Sequence, residues 1–132
     1  MILLDTHVLI WHEQGNQRLG SRTRHEFEVA LGEGTAAVSA ISFWEVGLQI
    51  QKGLLRLITD IAAWRRDLLN QGLGEIPVDG DIAARAGLLE DMHGDPADRL
   101  IVATALGGHR LVTADELILA WPGKLNRLDA RE

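Results

Sequence analysis

Four acidic residues, Asp5, Glu45, Asp98 and Asp115, stand where apolar, strand-like runs give way to helix-like segments. Asp5 closes Met1-Ile2-Leu3-Leu4, and Asp115 closes Leu111-Val112-Thr113-Ala114. In an open α/β sheet, ligands bind just beyond the carboxyl ends of the strands. Carboxylates gathered at that edge repel one another unless a hard divalent cation neutralises them. The chemistry this favours is metal-assisted displacement at phosphorus. Magnesium takes oxygen ligands, and a bound ion lowers the pKa of water towards neutrality. Such a displacement needs no covalent protein nucleophile. Cysteine is absent, as are a G-x-S-x-G elbow and a G-x-x-x-x-G-K phosphate loop.

Each acid also has a plainer use. Glu45 can complete a capping box with Ser42, and Asp98 can do so with Asp95. Asp5 and Asp115 can cap the helices that follow them. Taken together, the four are better explained by a shared crevice, because a cap needs one acceptor and Ser, Thr or Asn serves as well. Thr6 beside Asp5 and Thr113 before Asp115 are suited to orient a carboxylate. The histidines form no H-E-x-x-H pair, which disfavours a zinc hydrolase. His7 is read as a helix-face residue. The tryptophans Trp11, Trp44, Trp64 and Trp121 are read as packing residues, not base-stacking ones.

The elements that must position these groups alternate. Strands are expected at Met1–Leu4, Ala36–Ala40, Glu75–Val78 and Arg110–Thr113, with a further one around Leu125–Leu128. Helices are expected over Thr6–Glu13, from Ser21 to Leu31, from Ser42 to about Lys52, from Thr59-Asp60 to near Gly72, over Asp81–Met92, from Asp95 to Leu106 and over Asp115–Ala120. Ser42-Phe43-Trp44-Glu45 has the capping-box pattern, and Asp95-Pro96 places proline at a first helical turn. Strands alternating with helices imply a parallel sheet of four to five strands wrapped by helices.

The chain has 132 residues, which fits a single domain spanning 1–132 with a sizeable core. Apolar residues make up 46%, charged residues 24%, and the net charge is −6. The acidic balance speaks mildly against a generic nucleic-acid binder, though bound cations would offset an acidic site. No run of about 18 apolar residues suggests a membrane span, and no basic n-region suggests a signal peptide. The lack of cysteine fits a reducing cytoplasm.

These segments form a set. Leu4-Asp5-Thr6-His7-Val8-Leu9-Ile10-Trp11 resembles the opening motif of PIN-domain ribonucleases of the VapC toxin branch. Val38-Ser39-Ala40-Ile41-Ser42-Phe43-Trp44-Glu45-Val46 resembles the second acidic motif. The segment from His93-Gly94-Asp95-Pro96-Ala97-Asp98 to Ala105 is similar to the third, and Leu111-Val112-Thr113-Ala114-Asp115 to the fourth. The resemblance implies a three-layer α/β/α PIN-like domain with Asp5, Glu45, Asp98 and Asp115 as metal-binding, catalytic acids. Thr6, Thr113 and Asp95 would support them. It further implies Mg2+- or Mn2+-dependent cleavage of RNA, commonly tRNA or rRNA, a VapB-type antitoxin and a homodimer. Ala97 and Gln49 depart from the branch, which often has an aromatic residue and a lysine there; both bear on substrate or antitoxin contacts.

Two other readings stay open. A receiver-like binding domain would need a lysine after a late strand, and Lys124 is the only one beyond Lys52. A catalytically silent domain would tolerate loss of acids, yet the acidic set is complete. Phe43, Val46, Ile50, Ile61, Trp64 and Leu68 exceed what one core face requires and are expected to form an antitoxin or dimer surface.

Overall fold

The computed structural model describes residues 1–132. Five short strands form one parallel sheet: β1 (Ile2–Leu4), β2 (Ala36–Ser39), β3 (Gly74–Ile76), β4 (Arg110–Thr113) and β5 (Arg127–Asp129). Their order is β3-β2-β1-β4-β5, so the first strand of the chain is the middle of the sheet. Seven helices surround it: α1 (Thr6–Gln14), α2 (Ser21–Glu33), α3 (Ile41–Gln51), α4 (Ile61–Asn70), α5 (Gly80–Gly87), α6 (Pro96–Ala105) and α7 (Glu116–Leu119).

The continuous apolar run of β1 follows from burial on both faces. Leu4 points to one side and packs with Val8, Leu9, Phe27 and Leu68, from α1, α2 and α4. Leu3 points to the other and packs with Ile101, Val102 and Ile118, from α6 and α7. Alternate residues of a strand face opposite ways, so a strand covered on both sides has no polar positions to spare. Each fully buried leucine stabilises the fold by about 1.5–3 kcal/mol. The result is a three-layer α/β/α arrangement.

Local chemistry corrects several expectations. The helix expected to open at Ser42 begins earlier, at Ile41, after Ala40, which makes no side-chain cap. Ser39 Oγ accepts the Ile41 amide at 3.2 Å, so the capping box is not used. Ser42 instead lies buried within the helix. The helix expected from Ser21 does begin there, as α2, with Gly20 as its N-cap, and the backbone carbonyl of Glu132 accepts the Thr23 amide. The chain packs so closely against Gly20 there that a Cβ would collide with the Glu132 backbone.

The helix expected over Asp81–Met92 stops at Gly87. At its end and beyond, the Arg99 guanidinium takes carbonyl oxygens that a continuing helix would pair with its own amides. Arg99 donates to the carbonyls of Ala86, Gly87, Leu89, Met92 and His93. The third strand occupies Gly74–Ile76 rather than Glu75–Val78, and the last occupies Arg127–Asp129 rather than Leu125–Leu128. Trp121 is buried, and its indole donates to the carbonyl of Glu90 at 2.8 Å. Trp44 is not a packing residue; it stands 54% exposed. No helix is long and apolar enough to cross a membrane.

Candidate metal centre

The chain leaves β1 towards β2 and β3 on one side, then returns to β4 and β5 on the other. Connections diverge between β1 and β4, and a crevice opens at their carboxyl ends. Asp5 and Thr113 lie there, both buried, with Thr6 and Ser42 beside them.

Asp5 caps α1. Its Oδ1 accepts the Thr6 amide at 2.8 Å, and its Oδ2 accepts the Thr113 hydroxyl at 2.8 Å. Thr113 Oγ1 in turn accepts the Asp115 amide at 3.0 Å. One carboxylate therefore ties the ends of the two central strands together. His7 is not simply a helix-face residue: its Nε2 accepts the Ala114 amide at 2.9 Å. Its Nδ1 faces Asp5 Oδ2 at 3.7 Å. Burial raises the Asp5 carboxyl above the usual carboxylate range, opposed by His7 and by its bonds to Thr113 and Thr6.

Glu45 reaches the same crevice from α3. Its Oε1 lies 2.5 Å from Thr6 Oγ1, which is also 2.8 Å from Ser42 Oγ. A hydroxyl has one proton to give. Ionised Glu45 takes it, while protonated Glu45 donates and turns Thr6 towards Ser42. Burial pushes the Glu45 carboxyl up to about 7, with the charges of Asp5, Asp98 and Asp95 adding to it and the Thr6 bond opposing.

Asp98 is on the first turn of α6, where Asp95 Oδ1 caps its amide at 3.0 Å. The Asp98 side chain does not complete a capping box; its Oδ2 meets His93 Nε2 at 2.8 Å. Burial raises Asp98 to about 6; the His93 bond pulls it down, and Asp5, Asp95 and Asp115 push it up. Asp115 caps α7 through Oδ1, which accepts from the amides of Leu117 and Ile118.

Ligand atoms of His93, Asp98 and Asp115 all lie within 4.8 Å of one another. Three carboxyls resist ionising because their negative charge is poorly solvated and shared with like charges. A divalent cation would reverse that balance, and the donors are hard oxygens with one imidazole. The residues present fit such an ion. Of the four acids expected to converge, Asp98 and Asp115 share that group with His93, while Asp5 and Glu45 lie outside it but near enough for their charges to act on one another and on Asp98; Thr6 and Thr113 are their hydrogen-bond partners. Asp95 caps α6 and lies near enough to raise both Glu45 and Asp98.

Sequence reasoning missed His93, Ser42 and Arg99. The signal for His93 was its place five residues before Asp98, with Gly94 and Pro96 between them to turn the chain back. Of the six residues expected on a partner surface, Val46 and Leu68 are enclosed in the chain's own core and present no surface. Phe43, Ile61 and Trp64 are half-buried, and Ile50 is exposed.

Comparisons with known proteins bear on the family and the fold. The family model of the PIN domain matches residues 2–120. Ribonuclease VapC22 of Mycobacterium tuberculosis (strain ATCC 25618 / H37Rv) is 35% identical over 116 residues, covering 86% of this chain and 86% of that protein. A toxin–antitoxin complex from Klebsiella pneumoniae has a chain of similar fold, with TM-score 0.64 and 23% identity over 98% of each chain. VapBC2 from Rickettsia felis, solved with a DNA fragment from its promoter, gives TM-score 0.69 and 17% identity over 98% of this chain and 100% of that one.

Proposed function

The chain belongs to the PIN domain family, and from that premise we propose that it is a metal-dependent endoribonuclease, the toxin of a toxin–antitoxin pair. The observation that carries this reading is the convergence of Asp5, Glu45, Asp98 and Asp115 on one crevice, with Glu45 and Asp98 held near neutral pKa. In it, Asp5, Asp98 and Asp115 would hold Mg2+ or Mn2+, and His93 would fix the orientation of Asp98. The cation would supply charge neutralisation at the scissile phosphate and a water acidified towards neutral pH.

This chain's own residues do the rest. Thr113 and Thr6 hold both oxygens of Asp5, so its position does not depend on solvent. Glu45, gripped by Thr6, orients the attacking water and takes its proton at an Oε atom. Attack by water rather than by the 2′-hydroxyl leaves 5′-phosphate and 3′-hydroxyl ends. Transfer RNA and ribosomal RNA are the substrates to try first, and the lack of cysteine fits action in the cytoplasm.

A protein partner is part of the same reading. Leu54, Ile58 and Ile50 stand exposed around a groove lined by Ile10, Leu55, Leu57 and Trp64. Exposed apolar residues beside a groove whose lining also carries Glu13, Arg56 and Asp67 suit an antitoxin segment or a second copy of the chain.

The test is cleavage of tRNA and rRNA by the purified chain, with Mg2+ or Mn2+ and with EDTA, beside a folded Asp98→Asn variant. Metal-dependent cleavage that disappears in the variant is expected. Cyclic phosphate ends formed without metal would overturn the mechanism.

A further inference from the structure

Trp44 is the one tryptophan or phenylalanine of this chain that stands in solvent, 54% exposed while the others are buried or half-buried. Core packing does not account for it. It precedes Glu45 on α3, and it borders a cleft of about 270 Å³. The lining is Trp44, Glu45 and Gln49 from α3, Lys52 at its C-cap, and Asp95 and Pro96 at the start of α6, with two further apolar side chains. Glu45 thus belongs to both the cleft and the acidic crevice. A nucleic-acid strand with one phosphate at the crevice has its neighbouring nucleotide within reach of the cleft.

The chemistry of the lining matches a nucleotide. An indole face stacks on any base, an amide can hydrogen-bond a base edge, and an ammonium can take a phosphate. Beside Trp44 the lining offers Glu45, Gln49, Lys52 and Asp95, a more polar set than the pockets that seat anchor side chains of a protein partner. We propose that Trp44 is the stacking platform for the nucleobase next to the scissile phosphate, with Lys52 holding the phosphate beyond it. This rests on the nuclease reading above. It assigns Trp44 a role in choosing where the RNA is held, while the acids carry the reaction.

The experiment has two arms, each run on the wild type, Trp44→Ala and Trp44→Phe after their melting temperatures are shown to match. In the first, labelled single-stranded oligoribonucleotide is titrated with each protein in Mg2+, followed by anisotropy. Loss of one stack predicts roughly 5- to 100-fold weaker binding for Trp44→Ala, with Trp44→Phe retaining most of it. In the second, cleavage kinetics are measured on RNA carrying a single abasic nucleotide at successive positions. One abasic position should raise KM for the wild type and make little further difference to Trp44→Ala. Equal RNA affinity in wild type and Trp44→Ala would overturn the proposal, as would a loss confined to dimerisation or antitoxin binding. If no RNA is cleaved by the wild type, the nuclease reading fails while the titration still decides the role of Trp44.

Discussion

At the scale of single residues, the site is organised by hydroxyls. Thr6 joins Ser42 to Glu45, and Thr113 joins Asp5 to the backbone of Asp115. Thr6→Val keeps the shape and removes the link, so kcat/KM should fall roughly 10- to 100-fold, by analogy with lost partners of metal-ligating groups. Thr6→Ser should recover most of it; equal activity of the Val and Ser variants would remove Thr6 from the mechanism. The raised carboxyls have a second consequence. Their folded pKa values, about 7 for Glu45 and about 6 for Asp98, lie above the unfolded values near 4. The protonated forms therefore stabilise the fold below about pH 4, and that contribution is lost as pH rises through 6 and 7. In EDTA, the melting temperature should be higher at pH 5.5 than at pH 8, by a few degrees after discounting for partial exposure. Added Mg2+ should raise it more at pH 8 than at pH 5.5, because protons compete with the cation for the same oxygens. A calorimetric scan at both pH values checks both signs.

At the scale of elements, the segment after α5 matters most. Arg99 on α6 gathers five carbonyls from Ala86 to His93, and so holds the loop that presents His93 to Asp98. Arg99→Ala would leave partly buried carbonyls without donors, each at about 1–3 kcal/mol where water cannot replace the bond. A loss of several degrees in melting temperature is expected together with lower activity. Arg99→Lys should recover little, since an ammonium cannot span that fork of acceptors. Thermal melts and cleavage rates on both variants test this. The same segment shows where sequence reading stopped. The strands were legible because burial on two faces leaves unbroken apolar runs such as Leu111-Val112. The start of α6 was legible because Asp95 and Pro96 act locally. The short reach of α5 was not, because what ends it is a guanidinium twelve residues or more away. The pairing of Thr6 with Glu45 was equally hidden, since it depends on two helices meeting across 39 positions of sequence.

At the scale of the whole molecule, the groove between α1, the 55–59 segment and α4 lies apart from the acidic crevice, so binding a partner and cutting RNA can be separated by mutation. Ile58→Asp and Leu54→Asp, both at exposed positions, should weaken antitoxin capture or dimerisation at least 10-fold while changing stability by no more than about 0.5 kcal/mol. Size-exclusion and pull-down with the cognate antitoxin measure this; unchanged assembly would place the partner elsewhere. The position of β1 in the middle of the sheet has a consequence for synthesis. Its neighbour β4 lies more than a hundred residues later, and the Thr113 hydroxyl that fixes Asp5 comes with it. A nascent chain stops short of β4 until residue 110 is made, at about 5–20 residues per second. Until then Asp5 has neither its clamp nor Asp115 beside it. If the chain cuts RNAs of the translation machinery, as proposed above, this order of synthesis would keep it inert while it is still attached to that machinery. Chains stalled at residue 105 should show no metal-dependent cleavage, whereas the free chain of residues 1–132 should.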